Sequence, residues 1–162
     1  MLKRFKRHHF AVIICLALGG AGGATAEAAQ PSFAPSVPQE NAGWLMEREI
    51  NRVRTASGLA HLKGSPILRS AAQRYARWLV LRGRFLHAVA LHPPGFRGAG
   101  ELLGRHYDGY GRVRRTVRLW MQSPPHRREL LNPRYREGGA GLVHGLRRGA
   151  PVSVWALRLG YR

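Results

Sequence analysis

The stretch Trp120-Met121-Gln122-Ser123-Pro124-Pro125-His126-Arg127-Arg128-Glu129-Leu130-Leu131-Asn132-Pro133 reads as the end of one amphipathic helix, a tight break and a short second helix. Ser123 is placed to cap that second helix through its hydroxyl. Pro124 and Pro125 cost little in its first turn, where the N–H groups have no intrahelical partner. His126 falls in the same turn, and there the positive end of the helix dipole disfavours an imidazolium. A neutral, rigidly held imidazole suits a metal ligand or a polar cleft. The plain alternative is a surface histidine in a helix cap.

Three other segments bear on that choice. Gly83-Arg84-Phe85-Leu86-His87 follows a strong helical pattern, Gly100-Glu101-Leu102-Leu103 lies on the next ordered segment, and Gly138-Gly139-Ala140-Gly141-Leu142-Val143 comes after the histidine. In this order the pieces resemble the bacterial branch of the CAP superfamily of cysteine-rich secretory, antigen 5 and pathogenesis-related proteins. The family pattern runs Phe-x-His, then Gly-Glu-Asn-Ile, then Trp-x-x-Ser-Pro-x-His-Arg, then a Gly-x-Gly strand. The likeness spans Leu45 to Tyr161, and the Ser-Pro-Pro-His-Arg block is its most specific part.

The resemblance implies an α+β fold, an α–β–α sandwich with a small antiparallel sheet, and a cleft formed by His87, Glu101 and His126. His87 and His126 are its candidate metal ligands. Two departures stand out. Leu102 occupies the position of the family's asparagine, and residues 112–122 contain no acid where many eukaryotic members carry a second glutamate. A divalent cation such as zinc is therefore expected to bind weakly if at all. Each residue also has a plainer reading. His87 could simply end its helix, and Glu101 could be solvated or could neutralise a nearby arginine. His92, His106 and His144 read as solvated loop residues, and Trp120 and Trp155 as packing.

The beginning of the chain sets the expected compartment. Lys3, Arg4, Lys6 and Arg7 precede an apolar run from Phe10 to Leu18 and a small-residue exit, the layout of a secretory signal peptide. That run is too short for a permanent transmembrane anchor. Ala24-Thr25-Ala26 fits the cleavage site, so residues 1–26 are read as signal, 27–40 as a flexible Ala/Pro/Ser-rich leader and 41–162 as the folded domain. Ile14 before Cys15 argues against a lipoprotein signal. Cys15 is the only cysteine, so the exported chain cannot form an internal disulfide. A secreted or periplasmic location follows as the expectation.

Charge is extreme. Taking Lys3, Arg4, Lys6 and Arg7 from the net +19 leaves +15, carried almost wholly by arginine. Such a surface favours anionic envelope material or lipid. The arginines are scattered over every segment, which argues against a nucleic-acid groove. A uniform compositional bias toward arginine is the competing explanation.

Within the domain, a helix is expected over about 43–56, capped by Asn41, with Met46, Ile50 and Val53 inward and Glu47, Arg48, Arg52 and Arg54 outward. Ser65-Pro66 starts a second, with Leu68, Ala72, Tyr75 and Leu79 facing the core, widened by Trp78 and Leu81 and stopped by Gly83. Residues 88–99 read as a loop. A third helix over about 109–122 turns Val113, Val117, Trp120 and Met121 inward. Two strands close the chain, Gly139–Val143 and Val152–Leu159, with Val152, Val154, Ala156 and Arg158 on one face. Arg147-Arg148-Gly149 is the turn between them.

No Gly-x-Ser-x-Gly or HExxH motif is present. The resemblance implies a family that binds lipids, sterols and partner proteins, so a secreted binding module is the leading reading. A metal-assisted hydrolase of envelope material and a basic polyanion-binding protein with a vestigial cleft are the alternatives.

Overall fold

The computed structural model describes residues 39–108 and 111–162, so the expected signal peptide, Cys15 and all but the last two residues of the leader lie outside it. Its elements in order are α1 (Gln39–Ala56), β1 (Lys63–Gly64), α2 (Pro66–Leu81), β2 (Gly98–His106), α3 (Val113–Gln122), α4 (Pro124–Leu130), β3 (Glu137–Arg147) and β4 (Ala150–Tyr161). The sheet order is β1-β3-β4-β2, with β1 parallel to β3 and the other pairs antiparallel.

Alternation along β4 builds a core on each face of the sheet. Val152, Val154 and Ala156 meet Ala72, Ala76 and Leu79 of α2, together with Leu103 and Val143. Trp155, Leu157 and Leu159 meet Met46, Ile50, Val117, Trp120 and Leu130 from α1, α3 and α4. The sheet thus lies between helices on both sides, which is the expected α–β–α sandwich.

α2 lies directly on β3. A Cβ at Gly139 would collide with the backbone of Leu68 and Arg69, so no side chain fits between the layers there. Gln73 continues the contact: its amide donates to the Leu142 carbonyl at 2.9 Å and accepts the Leu142 N–H at 3.0 Å. The turn joining β3 to β4 is Arg148-Gly149, with φ of 52° and 79°. Positive φ at both positions is what a two-residue turn matching the strand twist requires.

Several expectations are corrected. α1 begins at Gln39, so Asn41 lies inside the helix and is not its cap. Arg54, expected outside, is fully buried. Trp78 and Leu81 are exposed, and Ala76 takes the buried place beside Ala72 and Leu79. Trp78 instead stacks on Tyr75, ring centroids 5.6 Å apart. Ser65 and Ser123 occupy N-cap positions, but neither hydroxyl caps its helix. The third helix starts at Val113, and β2 is a third long strand beyond the two expected.

Candidate functional site

β2 and β4 place Glu101 directly opposite Arg158, so both side chains project from the same face of the sheet. Arg158 Nη2 lies 2.8 Å from Glu101 Oε2, with the two side chains 8% and 1% exposed. The pair is an ion pair without the alignment of a hydrogen bond, and Arg158 Nε is buried without a partner among the described residues. Burial holds the Arg158 guanidinium below its ordinary pKa, while the Glu101 charge acts the other way. Its guanidinium also sits over the Tyr75 ring, 4.8 Å from the centroid.

The other oxygen of Glu101 fixes the segment that carries His87. Oε1 accepts the Ala88 N–H at 3.0 Å and is 2.9 Å from His87 Nδ1. A carboxylate can only accept, so Nδ1 carries the proton and Nε2 of a neutral His87 is left with a lone pair. Tyr75 adds a second tie by donating its hydroxyl to the Leu86 carbonyl at 2.8 Å. Residues 86–88 are thereby pinned against β2 and α2. The His87 side chain is 59% exposed above the sealed carboxylate.

His126 approaches from the other side, in the first turn of α4. Its Nδ1 is 2.8 Å from Ser123 Oγ, so this serine orients the imidazole instead of capping the helix. Burial, and next the nearby His87, hold its pKa below the usual histidine value. Glu101 lies beneath His87, 2.9 Å from its Nδ1. Each histidine commits Nδ1 to a neighbour and leaves Nε2 for another contact.

A groove of about 310 Å³ runs beside His126. Phe85, Leu103, Leu119 and Trp120 form its apolar walls, with Ser123 and His126 at a polar margin. Arg105 lies 4.5 Å from the Phe85 centroid and 5.0 Å from that of Tyr107, and both rings also line the groove. Trp120 is held by donating its indole N–H to the Leu103 carbonyl at 2.8 Å.

A second polar row crosses the three long strands. His106, Ser153 and His144 stand opposite one another on β2, β4 and β3. His144 Nδ1 is 2.8 Å from Ser153 Oγ, and His106 Nε2 is 2.7 Å from Thr116 Oγ1. Both histidines were expected in solvated loops; they are strand residues, and His106 is buried. Burial is the main cause that lowers the His106 pKa. His92 does lie exposed in a loop. The sequence carries no sign of this row, because only the strand register brings its members together.

The two lowered histidines make a testable pH statement. A histidine whose pKa falls on folding stabilises the protein above the unfolded value of about 6.5, and that stability is lost as pH falls through the folded value. His106 and His126 are therefore expected to titrate below about 6.5 in ring-proton NMR, and thermal stability to decline from pH 7 toward pH 5. A titration of either ring above 7 would contradict the buried geometry.

Among the described residues, no group of three or more His, Cys, Asp or Glu side chains comes together to hold a metal ion. Glu101 is engaged by His87, Ala88 and Arg158, so the site offers a cation two imidazole nitrogens and no open carboxylate. Structural and catalytic zinc sites use three or four protein ligands. The donor set does not fit a resident metal.

Residues 47–155 match the sequence profile of the cysteine-rich secretory protein family. An outer surface protein of Borrelia burgdorferi has a similar fold at TM-score 0.63 and 20% identity, over 79% of this chain and 98% of that one. An extracellular protein containing an SCP domain, from Bacillus anthracis, is similar at TM-score 0.60 and 16% identity, over 80% of this chain and 45% of that one. A cysteine-rich secretory protein from Staphylococcus aureus is similar at TM-score 0.53 and 20% identity, over 79% and 40% of the two chains. No curated protein matches this chain.

Proposed function

This chain belongs to the cysteine-rich secretory protein (CAP) family, and we propose that it is an exported binding module for an amphiphilic envelope ligand, not an enzyme. The observation that carries this reading is the groove beside His126. Four apolar side chains offer a hydrocarbon chain a place out of water, and His126 with Arg105 offers its head group polar and cationic partners. Ser123 holds the His126 imidazole from the turn before α4, with Oγ 2.8 Å from Nδ1. The described residues contain no helix long and apolar enough to cross a membrane. Export through residues 1–26 would bring the module to a secreted or periplasmic location, where its positive surface faces anionic lipid and wall polymers.

The anionic amphiphile 1-anilinonaphthalene-8-sulfonate tests the groove directly. Its fluorescence is expected to rise on binding the wild type, and Leu119→Arg is expected to weaken that binding by about tenfold, since a methylene-lined contact of this size contributes on the order of 1–2 kcal/mol. Unchanged binding in a folded Leu119→Arg variant would place the ligand elsewhere.

His87 and His126 are the residues proposed to meet a zinc ion, each with Nδ1 held by a neighbour. Titration calorimetry is expected to show weak affinity, abolished in His87→Ala/His126→Ala. Tight binding that survives the double substitution would show that other residues hold the ion.

A further inference from the structure

We propose that a second groove, between α1 and α2, binds a linear polyanion, a glycan bearing phosphate or sulfate esters. This site goes beyond the amphiphile groove and shares no lining residue with it. It encloses about 640 Å³ between Gly43 of α1 and Arg69, Ser70, Gln73, Arg74 and Arg77 of α2. α2 contains no acidic residue anywhere from Pro66 to Leu81.

Each polar side chain around this groove has a distinct position. Arg69 is neutralised by Glu47 through paired contacts of 3.0 and 2.7 Å and forms a wall. Gln73 is committed to the backbone of Leu142 and forms part of the floor. Arg74 donates to Ser70 Oγ at 2.5 Å, one turn back along the helix, and that bond holds its guanidinium in place. Neither Arg74 nor Arg77 has a carboxylate within ion-pair distance among the described residues.

Arg74 and Arg77 are three residues apart, so they lie on one side of the helix with Cβ atoms roughly 5–6 Å apart. Like charges at that spacing repel, and no acid beside them relieves it. Two planar guanidinium forks side by side suit the paired oxygens of phosphate and sulfate esters, which they can meet two at a time. Arg69 and Ser70 extend the same strip toward the start of α2. A chain with repeated ester groups can engage the two arginines through separate esters.

Heparin is the probe. At 0.15 M salt, Arg74→Ala/Arg77→Ala is expected to weaken heparin binding about tenfold and to reduce the slope of log affinity against log salt by about 2, one for each lost contact. Arg118→Ala/Arg128→Ala removes the same charge from exposed positions on α3 and α4 and is expected to change affinity less than about threefold. Equal losses from the two pairs would show that charge spread over the whole surface drives binding, and would overturn the proposal. Loss of binding to phosphatidylglycerol vesicles with heparin binding intact would assign the arginines to a lipid surface and would also overturn it. Should the alanine pair fail to fold by circular dichroism, Arg74→Gln/Arg77→Gln repeats the test with longer side chains. The wild-type anilinonaphthalene-sulfonate response serves as a separate readout, so failure of the amphiphile groove and failure of this groove are distinguishable.

Discussion

Arg54→Met is expected to lower stability by about 3–4 kcal/mol, because two buried carbonyls lose their donor at roughly 1–3 kcal/mol each. Among the described residues Arg54 has no carboxylate partner. Its guanidinium donates to the carbonyls of Ala60 at 3.1 Å, Leu130 at 2.8 Å, Asn132 at 3.2 Å and Tyr135 at 3.4 Å. Leu130 ends α4, so the cation also sits at the negative end of that helix dipole. Burial, followed by the neighbouring Arg136, lowers the Arg54 pKa, which is the sign of an expensive location that these carbonyls offset. The arginine ties α1 to the end of the helix whose beginning carries His126. Thermal unfolding should show a drop of roughly 10 °C, given a few degrees per kcal/mol for a domain of this size. A loss below about 1 kcal/mol would mean that water reaches these carbonyls when the guanidinium is gone.

Glu101→Ala is the second large effect, expected at about 3–5 kcal/mol, because it leaves Arg158 as an uncompensated buried charge. Removing both charges is a different matter. Glu101→Leu/Arg158→Met is expected to recover most of the loss, since apolar replacement of a buried pair is often neutral or better. The double variant should nonetheless lose the anchor on His87 Nδ1 and Ala88, and ring-proton NMR should show His87 with averaged, solvent-like shifts. Similar destabilisation in the single and double variants would show that the hydrogen bonds to the 86–88 segment, and not the charge pair, carry the stability.

Part of the site was legible before the fold. His87, Glu101 and His126 were singled out by their motifs, and the structure places His87 against Glu101. The pairing of Glu101 with an arginine was one of its two plainer readings, and Arg158 was already on the correct face of its strand. What could not be read is the register that sets Arg158 opposite Glu101 and lines up His106, Ser153 and His144. Period-2 alternation tells which face a residue takes, but not which residue on the next strand stands across from it.

β2 was only partly visible for a related reason. Gly98, Gly100 and Gly104 interrupt any apolar alternation, so residues up to 99 read as loop and Gly100-Glu101-Leu102-Leu103 as an ordered segment without a strand signal. The glycines answer to packing: a Cβ at Gly104 would stand 2.9 Å from Thr116 Cγ2, where α3 passes close to the strand. Arg54 was hidden because helical periodicity assigns arginine to solvent, while its acceptors lie up to 81 residues away in the chain. Trp78 and Leu81 erred in the opposite direction. They continue the apolar stripe of α2 toward its C-terminal end, yet both are exposed there.

The claim that this CAP domain holds an envelope amphiphile beside His126 is tested most directly by native mass spectrometry of the protein recovered from its own envelope. The wild type is expected to carry a mass adduct that collisional activation releases as a lipid-like species, and Leu119→Arg is expected to appear at its bare polypeptide mass. A wild-type protein without any adduct, or an adduct retained equally by Leu119→Arg, would contradict the account.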